Sequence, residues 1–337
     1  MRYDTAVDKF MVTRSTSGYA PNTLRNNSNH LRLLGSHLPG DIQVQAITPD
    51  RFEQAWREMC VGRSPNNMIN ALATCNTFFK WCQGRSIVPG RWVNPTTDVR
   101  APKPQKRERF RVPVSEFRTM LDTAEDPRDR ALIAAACTLL LRKGELQTLT
   151  IGDVNLADGE VSVTIWKTKD ADMMPIAREL DTELRRWLTA YAEAAGPLQD
   201  DWLLFPARQQ VKYSHDDGGR FSAHHHTNFI YLPHKQIGKM EDIVTRVLVE
   251  MGYTLEDREG MHTMRRSAAR WLFDRLVTEG YDGAIRLVQA MLHHSQIVTT
   301  ERYIGLTLDK KKRDDILRGE IMYPIASDNV IELRNHG

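Results

Sequence analysis

Two arginines, two histidines and a tyrosine along the chain carry the functional groups that phosphodiester chemistry needs. In chain order they are Arg142, His262, Arg265, His294 and Tyr303. Guanidinium groups neutralise phosphoryl oxygens, imidazoles exchange protons near neutral pH, and a phenolic oxygen can attack phosphorus and become a covalent anchor. Each residue alone is more simply explained as ordinary core or surface, so the prediction depends on their order and spacing.

The predicted helices favour a shared site for these residues. His262 and Arg265 are three residues apart and would face the same way at the start of a helix. Arg142 follows an apolar helix that begins at the capping pair Asp126-Pro127. We therefore expect Arg142 near the C-terminus of that helix.

The first part of the chain predicts an all-α domain. Thr48-Pro49 and Ser64-Pro65 each combine a capping side chain with proline at the first helical position. After the second pair, apolar residues recur at helical spacing: Met68, Leu72, Cys75, Phe79 and Cys82. An earlier helix is expected from about residue 21 to residue 38. We predict a helical domain over residues 1–98.

Residues 99–112 break this pattern and predict an extended, basic linker. Prolines prevent a regular helix here, and no apolar spacing could bury the segment. Against the single acid Glu108, the segment contains the cations Arg100, Lys103, Lys106, Arg107, Arg109 and Arg111. Such a run fits a solvated hinge and a segment lying along a phosphate backbone equally well. DNA contacts from these cations are one of two open interpretations.

The remaining sequence predicts a second, α+β domain over residues 113–320. Val161, Val163 and Ile165 alternate after an Asp158-Gly159 turn, which indicates a β-hairpin, and a third strand is expected over residues 173–176. From about residue 178 onward the pattern is helical again. The predicted fold class is mainly α with a small antiparallel β-sheet, and residues 321–337 are predicted to form a C-terminal tail.

Composition limits the class of protein. A chain of 337 residues with 41% hydrophobic and 26% charged residues fits a globular protein of two domains. The formal net charge of +3 does not by itself indicate a polyanionic partner. The four cysteines lack Cys-x-x-Cys spacing, and no segment resembles a signal peptide or a membrane span. We expect a reduced, cytoplasmic protein with no membrane association.

Taken together, the motifs resemble the tyrosine recombinase (phage integrase) family. His262-Thr-Met-Arg265 is followed by His294-Ser-Gln-Ile-Val-Thr-Thr and then Tyr303, which matches the order in that family. The segment around Arg142 resembles the family's box around its first arginine. The resemblance extends from about residue 5 to residue 305. It implies an all-α, SAM-like core-binding domain followed by an α+β catalytic domain.

The resemblance implies a role in strand cleavage for each residue of the pattern. Tyr303 attacks the scissile phosphate, forms a 3′-phosphotyrosyl bond and releases a 5′-hydroxyl. Arg142 and Arg265 bind the non-bridging oxygens, whose negative charge grows in the transition state. His294 hydrogen-bonds the phosphate. Glu145 holds the neighbouring catalytic side chains in place.

Two proton-transfer roles complete the implied chemistry. Lys167 protonates the leaving oxygen as general acid, although Lys169 would point to the same side of a strand, so either lysine could serve. His262 helps to accept the tyrosine proton. The chain departs from the family at two positions: His293 stands where glycine usually precedes the second histidine, and Arg266 stands where a histidine usually follows the second arginine.

No cofactor is expected for this transesterification. The tyrosyl ester conserves the energy of the phosphodiester, and two arginines and a lysine neutralise the charge, so neither ATP nor Mg²⁺ is required. A run of histidines could suggest a metal: His224, His225 and His226, with His215 and His234 nearby. Because three consecutive histidines cannot all face one ion from a helix, an exposed or DNA-facing loop is favoured and no metal site is predicted.

The resemblance implies a site-specific DNA recombinase, in the first place a phage or mobile-element integrase in a bacterial or phage-infected cell. A Xer-type resolvase or a type IB topoisomerase would use the same chemistry, and a non-catalytic DNA-binding or architectural protein could share the fold. The implied partners are double-stranded DNA at a core-type attachment site, further copies in a homo-tetramer on DNA, and a directionality factor. We expect no arm-binding domain, and we expect the tail to pack onto a neighbouring protomer.

Overall fold

The computed structural model describes residues 1–103, 109–165, 170–210, 229–255 and 259–306. The chain divides into two compact units, Met1–Arg107 and Glu108–Gly337. The predicted limits of the linker and of the tail stay predictions. None of the helices within the described ranges has both the length and the apolar character that crossing a bilayer requires.

The described part of the first unit is helical, as its sequence predicts. Its helices are α1 (Tyr3–Thr16), α2 (Pro21–Gly35), α3 (Pro49–Cys60) and α4 (Pro65–Gly84). The predicted caps form at two of the starts, because the Thr48 and Ser64 hydroxyls accept hydrogen bonds from the backbone N–H groups of Arg51 and Asn67. Capping side chains and the proline after each of them therefore set where α3 and α4 begin.

An aromatic cluster holds the helices of the first unit together. Phe78 on α4 contacts the rings of Tyr3 and Phe10 edge to face, each with centroids 5.5 Å apart. The Tyr3 hydroxyl donates to the carbonyl of Leu31 at 2.8 Å. The cluster thus joins α1, α2 and α4. Cys75 lies fully buried in the same core, and burial raises the pKa of its thiol to about 12.

The second unit begins with helices and a small sheet. Its first elements are α5 (Phe117–Thr123), α6 (Pro127–Thr138), α7 (Lys143–Thr148), β1 (Val154–Asn155), β2 (Glu160–Thr164), β3 (Ala171–Pro175) and α8 (Arg178–Ala195). The three strands are antiparallel in the order β1-β2-β3. The predicted turn lies between β1 and β2, where Gly159 has a φ of +70°. This conformation favours glycine, which explains the turn.

A second, two-stranded antiparallel sheet was not predicted. It pairs β4 (Pro206–Gln210) with β5 (Phe229–Gln236), so the expectation that the pattern is helical from about residue 178 onward is wrong for these two segments. The sequence of β4 is Pro-Ala-Arg-Gln-Gln, which has no apolar alternation. Strand β5 begins with the strand-forming run Phe-Ile-Tyr-Leu, a signal that the prediction overlooked, whereas β4 is defined by its backbone pairing with β5.

Four helices complete the described part of the second unit. They are α9 (Met240–Glu250), α10 (Met261–Thr278), α11 (Ala284–Met291) and α12 (Ile297–Ile304). Helix α10 is central, with Met264, Ala268 and Ala269 buried in the core. Helix α12 ends at Ile304, and Gly305 caps it in the left-handed conformation with a φ of +85°.

Candidate active site

Arg142 lies at the start of a helix, which corrects the expected position near a helix end. Helix α6 stops at Thr138, and Arg142 is the residue that precedes α7. Between them Leu140 adopts a φ of +49°, a left-handed conformation that breaks the helix although its side chain stays buried. The continuous apolar run from Leu139 to Leu141 concealed this break.

Glu145 joins the two candidate arginines. Its carboxylate is 1% exposed, and it accepts hydrogen bonds from Arg142 Nη1 at 3.0 Å and from the Arg142 backbone N–H at 2.7 Å. Arg265 Nη1 lies 3.7 Å from the same carboxylate. Glu145 thus contacts both guanidinium groups. The carboxylate lies on α7, and the second arginine lies on α10.

The carbonyl of Leu292 completes the arrangement of the arginines. It accepts a hydrogen bond from Arg265 Nη2 at 2.6 Å, and Arg142 Nη2 lies 3.5 Å from it. Because one carboxylate and one carbonyl each contact both side chains, the guanidinium groups lie side by side. No sequence pattern indicates the Leu292 contact, since any residue can offer a backbone carbonyl.

Arg265 is buried without full hydrogen bonding. Its side chain is 2% exposed, and within the described part of the chain its Nη1 makes no hydrogen bond. Burial lowers the pKa of this guanidinium to about 10, an effect that the nearby Tyr303 and Glu145 partly oppose and Arg142 increases. A buried cationic donor without a hydrogen bond favours the binding of an anion beside it.

Tyr303 projects from α12 toward the same place. Its hydroxyl donates to the backbone carbonyl of His262 at 3.3 Å. Burial raises the pKa of the phenol, while the positive charges of Arg265, Arg266 and Arg142 lower it. The phenol is therefore protonated at neutral pH, yet three guanidinium groups act on its oxygen.

His262 lies in the first turn of α10, where it keeps an exposed surface while its imidazole lines a pocket whose walls partly shield it from water. Desolvation lowers its pKa below the ordinary value of 6.5, and repulsion from Arg265, Arg266 and Arg142 lowers it further. The imidazole is accordingly neutral at pH 7 and has a lone pair available for a proton. The spacing of His262 and Arg265 does place both in one turn of a helix.

His294 contacts the tyrosine ring directly. The two rings meet edge to face with centroids 5.5 Å apart. His294 Nδ1 lies 3.0 Å from the hydroxyl of the fully buried Thr300, and Gln289 donates to the His294 carbonyl at 2.9 Å. The second threonine of the predicted Thr-Thr pair thus orients this imidazole.

Two neighbouring residues occupy the positions where the chain departs from the family pattern. Arg266 donates from Nε and Nη2 to the Phe110 carbonyl at 3.1 and 2.5 Å and pairs with Glu259 at 3.2 Å. His293 has a φ of +49°, and its Nε2 lies 2.9 Å from a carboxylate oxygen of Asp172 on β3.

The remaining candidate residues divide between described and undescribed parts of the chain. Arg100, Lys103 and Arg109 are exposed, whereas Arg111 is half-buried and donates to the Ile304 carbonyl at 3.1 Å. Several predicted residues lie outside the described ranges: Lys106, Arg107, Lys167, Lys169, His215, His224, His225 and His226. The hydrogen bond from Arg111 thus contacts the last residue of α12, the helix that carries Tyr303. The sequence did not indicate this contact.

The fold and this cluster define an enzyme of the tyrosine recombinase class, which cuts and rejoins DNA strands by transesterification. Residues 111–309 match the sequence model of the phage integrase family. The match includes more than half of the chain, and the chain belongs to that family. The predicted family and enzyme class are confirmed.

Individual relatives agree with this assignment. A tyrosine recombinase XerC from Alcanivorax borkumensis is 25% identical over 251 residues, which are 73% of this chain and 70% of that protein. A lambda integrase fragment, solved as a dimer bound to a COC′ core site, has a TM-score of 0.66 at 18% identity over 90% of this chain and 95% of that chain.

A second lambda integrase structure, a tetramer bound to a Holliday junction, has a TM-score of 0.65 at 17% identity. The similarity covers 90% of this chain and 77% of that chain. Identities this low show the fold alone. The predicted fold class, mainly α with a small antiparallel β-sheet, is confirmed, and the structure adds a second sheet of the same kind.

Proposed function

We propose that this protein is an integrase that cuts and rejoins DNA at a specific site through a 3′-phosphotyrosyl intermediate on Tyr303. One observation carries the proposal: Glu145 and the Leu292 carbonyl hold the guanidinium groups of Arg142 and Arg265 together. The charges of both groups act on the Tyr303 oxygen. Two fixed guanidinium groups beside a nucleophilic oxygen suit attack on a bound phosphodiester.

The arginine pair supplies the site for the scissile phosphate. Arg265 Nη1 lacks a hydrogen bond within the described residues, and two guanidinium groups share one carboxylate. A non-bridging oxygen would accept from this donor and balance the remaining positive charge. The same contacts strengthen as charge accumulates on the pentacoordinate phosphorus, so they lower the barrier to attack. The His294 ring, beside Tyr303, would donate to the same phosphate.

Cleavage begins with removal of the phenolic proton. The neutral His262 imidazole accepts that proton, and the arginines stabilise the phenolate as it forms. The Tyr303 oxygen then bonds to phosphorus while the bond from phosphorus to the 5′ oxygen breaks. The departing oxygen takes a proton from Lys167 or Lys169. Strand joining reverses these steps with a 5′-hydroxyl from the other duplex.

A polar groove on the first unit supports base recognition. It has a volume of about 780 Å³ and lies between α2 and α4. Its exposed side chains are rich in amides: Asn26, Asn29, Asn66, Asn67 and Asn70, with Arg63 at one end. Asparagine pairs with adenine and arginine with guanine in the major groove. We assign sequence preference to this groove.

Basic residues before the catalytic core would contribute affinity without sequence preference. Arg100, Lys103 and Arg109 are exposed and suit contacts to phosphates. Lys106, Arg107 and Arg111 remain part of the same proposal. We also propose that the protein acts at an attachment core site, assembles as a homo-tetramer, responds to a directionality factor and is located in the cytoplasm. The lambda integrase tetramer on a Holliday junction supports the tetramer, and packing of residues 321–337 on a neighbouring protomer would join its subunits.

A Xer-type resolvase is the second candidate, because a relative at 25% identity is a XerC recombinase. The cleavage chemistry is the same, and the two functions differ in the DNA sites that are joined. A type IB topoisomerase would relax unrelated plasmids as a monomer. A non-catalytic DNA-binding protein would form no covalent adduct with DNA.

One assay separates these functions. Purified protein is incubated with nicked duplexes tiled from its own genetic neighbourhood, and covalent adducts and joined products are measured. We expect adducts at one short site and joining of two such sites, and we expect Tyr303→Phe to bind DNA but form no adduct. Relaxation of unrelated plasmids without site preference, or adducts that persist in Tyr303→Phe, would contradict the proposal.

A further inference from the structure

Two arginines hold the end of the helix that carries Tyr303. Helix α12 ends one residue after the tyrosine. The Ile304 carbonyl at this end accepts hydrogen bonds from Arg111 Nη1 at 3.1 Å and from Arg270 Nη1 at 3.3 Å. The last carbonyls of a helix lack partners within the helix and form its negative end, so cationic donors are favourable there. Charged donors therefore fix the backbone next to the nucleophile.

Gly305 leaves the space that one of these arginines occupies. It is buried directly after α12, and its φ of +85° lies in the left-handed region. A Cβ at this position would overlap the Arg111 guanidinium, whose Cζ would lie 3.0 Å away. Gly280, which follows α10 with a φ of +75°, differs in this respect: a Cβ there would meet no atom of the described residues within 4 Å. Glycine at position 305 thus permits the approach of Arg111 as well as the left-handed turn.

The backbone on both sides of Arg111 is attached to helix α10. The carbonyl of the preceding residue accepts two hydrogen bonds from Arg266. On the other side, the Val112 N–H donates to the Ser267 hydroxyl at 2.9 Å, and the Val112 carbonyl accepts from Trp271 Nε1 at 2.7 Å. Arg111 therefore extends toward α12 from a backbone that α10 fixes.

Helix α10 connects the phosphate site with the hold on the nucleophile. It carries Arg265, which we assign to the scissile phosphate, and also Arg270. Through its contacts with the neighbours of Arg111, it fixes the second donor to the end of α12 as well. Because all three guanidinium groups depend on one helix, the contacts at the end of α12 set where Tyr303 lies relative to the phosphate.

We propose that Arg111 and Arg270 are positioning residues that hold Tyr303 for attack on the scissile phosphate. Gly305 provides the space for Arg111. The inference rests on the proposed function: as the Tyr303 oxygen bonds to phosphorus, its proton passes to His262, and the 5′ oxygen leaves with the electron pair of the broken bond and takes a proton from the general acid. Misplacement of a reacting atom by about 1 Å can cost about 10²-fold in rate, so loss of either hold slows attack and leaves DNA binding intact.

Cleavage rate and DNA affinity, measured on one suicide duplex, separate this role from a contact with DNA. The rate is the single-turnover cleavage rate at saturating protein. Arg111→Ala and Arg270→Ala each remove a donor to the end of α12, whereas Arg111→Lys retains a cationic donor. Gly305→Ala places a Cβ where the Arg111 guanidinium lies. All rates are measured at a temperature at which the circular dichroism spectrum shows each variant to be folded.

Two controls match these changes. Arg118→Ala removes an exposed arginine of α5 that pairs with Asp122. Gly280→Ala imposes the left-handed cost of a Cβ without the overlap with Arg111. Both controls should cleave at the rate of the unmodified protein.

We expect Arg111→Ala, Arg270→Ala and Gly305→Ala each to lower the saturating cleavage rate at least about tenfold, with DNA affinity within about twofold of the unmodified protein. Arg111→Lys should restore the rate to within about threefold, because a lysine can also donate to the last carbonyl of a helix. In the Arg111→Ala background, Gly305→Ala should cost no more than Gly280→Ala, because the overlap is gone.

Unchanged cleavage by Arg111→Ala and Gly305→Ala would overturn the inference, as would a lysine variant as slow as the alanine variant. Weaker binding with a lower salt slope and an unchanged saturating rate would assign Arg111 to the DNA backbone and overturn it too. The covalent adduct tests the proposed function separately. If the unmodified protein forms no adduct on Tyr303, the function fails; if it does and Arg111→Ala forms the adduct equally fast, the inference alone fails.

Discussion

The two sides of the candidate site are held in different ways. On the phosphate-binding side, Arg142 and Arg265 contact a buried carboxylate and a backbone carbonyl, and Arg265 is almost inaccessible to solvent. On the proton-transfer side, His262 is exposed, and the Tyr303 hydroxyl donates a long hydrogen bond of 3.3 Å to the His262 carbonyl. An arginine keeps its charge throughout the reaction and can be fixed in advance. The His262 imidazole must accept a proton from Tyr303 and later release it, so it needs contact with both the substrate and water.

Removal of a fixed charge should have the largest effect. Arg265→Ala eliminates the buried guanidinium, and we expect the single-turnover cleavage rate to fall about 10³-fold, because the growing charge on phosphorus loses a preorganised donor. The matched control is Arg275→Ala, which changes an exposed arginine of the same helix that pairs with Glu279. Cleavage by the control should be unchanged. A loss below about tenfold for Arg265→Ala would contradict the assigned role.

A change on the proton-transfer side should have a smaller effect that depends on pH. His262→Asn should lower the cleavage rate about 10²-fold, as expected for loss of a general base. Since the pKa of His262 is lowered from 6.5, the base form persists into mild acid. The rate should therefore stay constant from about pH 8 to about pH 6.5 and fall only below that value.

The acid limb of this pH profile should be absent in His262→Asn. His234→Asn, which changes an exposed histidine on β5, should leave the profile unchanged. An acid limb centred above about pH 6.5, or one that remains in the His262 variant, would assign the base to another group.

Removal of the Glu145 charge, which both arginines contact, should lower the cleavage rate modestly and also lower the stability of the protein. Glu145→Gln keeps one carbonyl oxygen but leaves two guanidinium groups without their shared negative charge. We expect about a tenfold loss in cleavage rate and a loss of about 1–3 kcal/mol in the free energy of unfolding. Bound DNA should reduce this stability difference, because a phosphate replaces the missing charge. An unchanged difference with DNA would argue that the phosphate does not bind between the arginines.

Changes outside the catalytic unit should leave the chemistry intact. Arg100→Ala with Lys103→Ala should reduce the slope of log affinity against log salt by about 2, because each of the two removed cations would neutralise one phosphate. Cleavage of pre-bound DNA should not change. Measurement of binding at several salt concentrations checks this, and an unaltered slope would assign these residues to a solvated hinge.

Sequence patterns predicted the helices, caps and turns that have a periodic apolar pattern or a short local motif. The caps at Thr48 and Ser64 were identified because proline follows each of them, and the turn at Gly159 because Asp-Gly precedes an alternating strand. The pairing of β4 with β5 was missed because β4 has no apolar pattern, and the strand-forming run Phe-Ile-Tyr-Leu of β5 was overlooked. The Leu292 carbonyl and Asp172 were missed for a similar reason: any residue offers a carbonyl, and surface aspartates are common.

The most direct test of the central claim is to identify the residue that becomes attached to DNA. The covalent product from a suicide duplex is digested with protease and nuclease, and the nucleotide-bearing peptide is sequenced by mass spectrometry. The account predicts a nucleotide on Tyr303 linked through its 3′ phosphate. Attachment at any other residue, or through a 5′ phosphate, would contradict it.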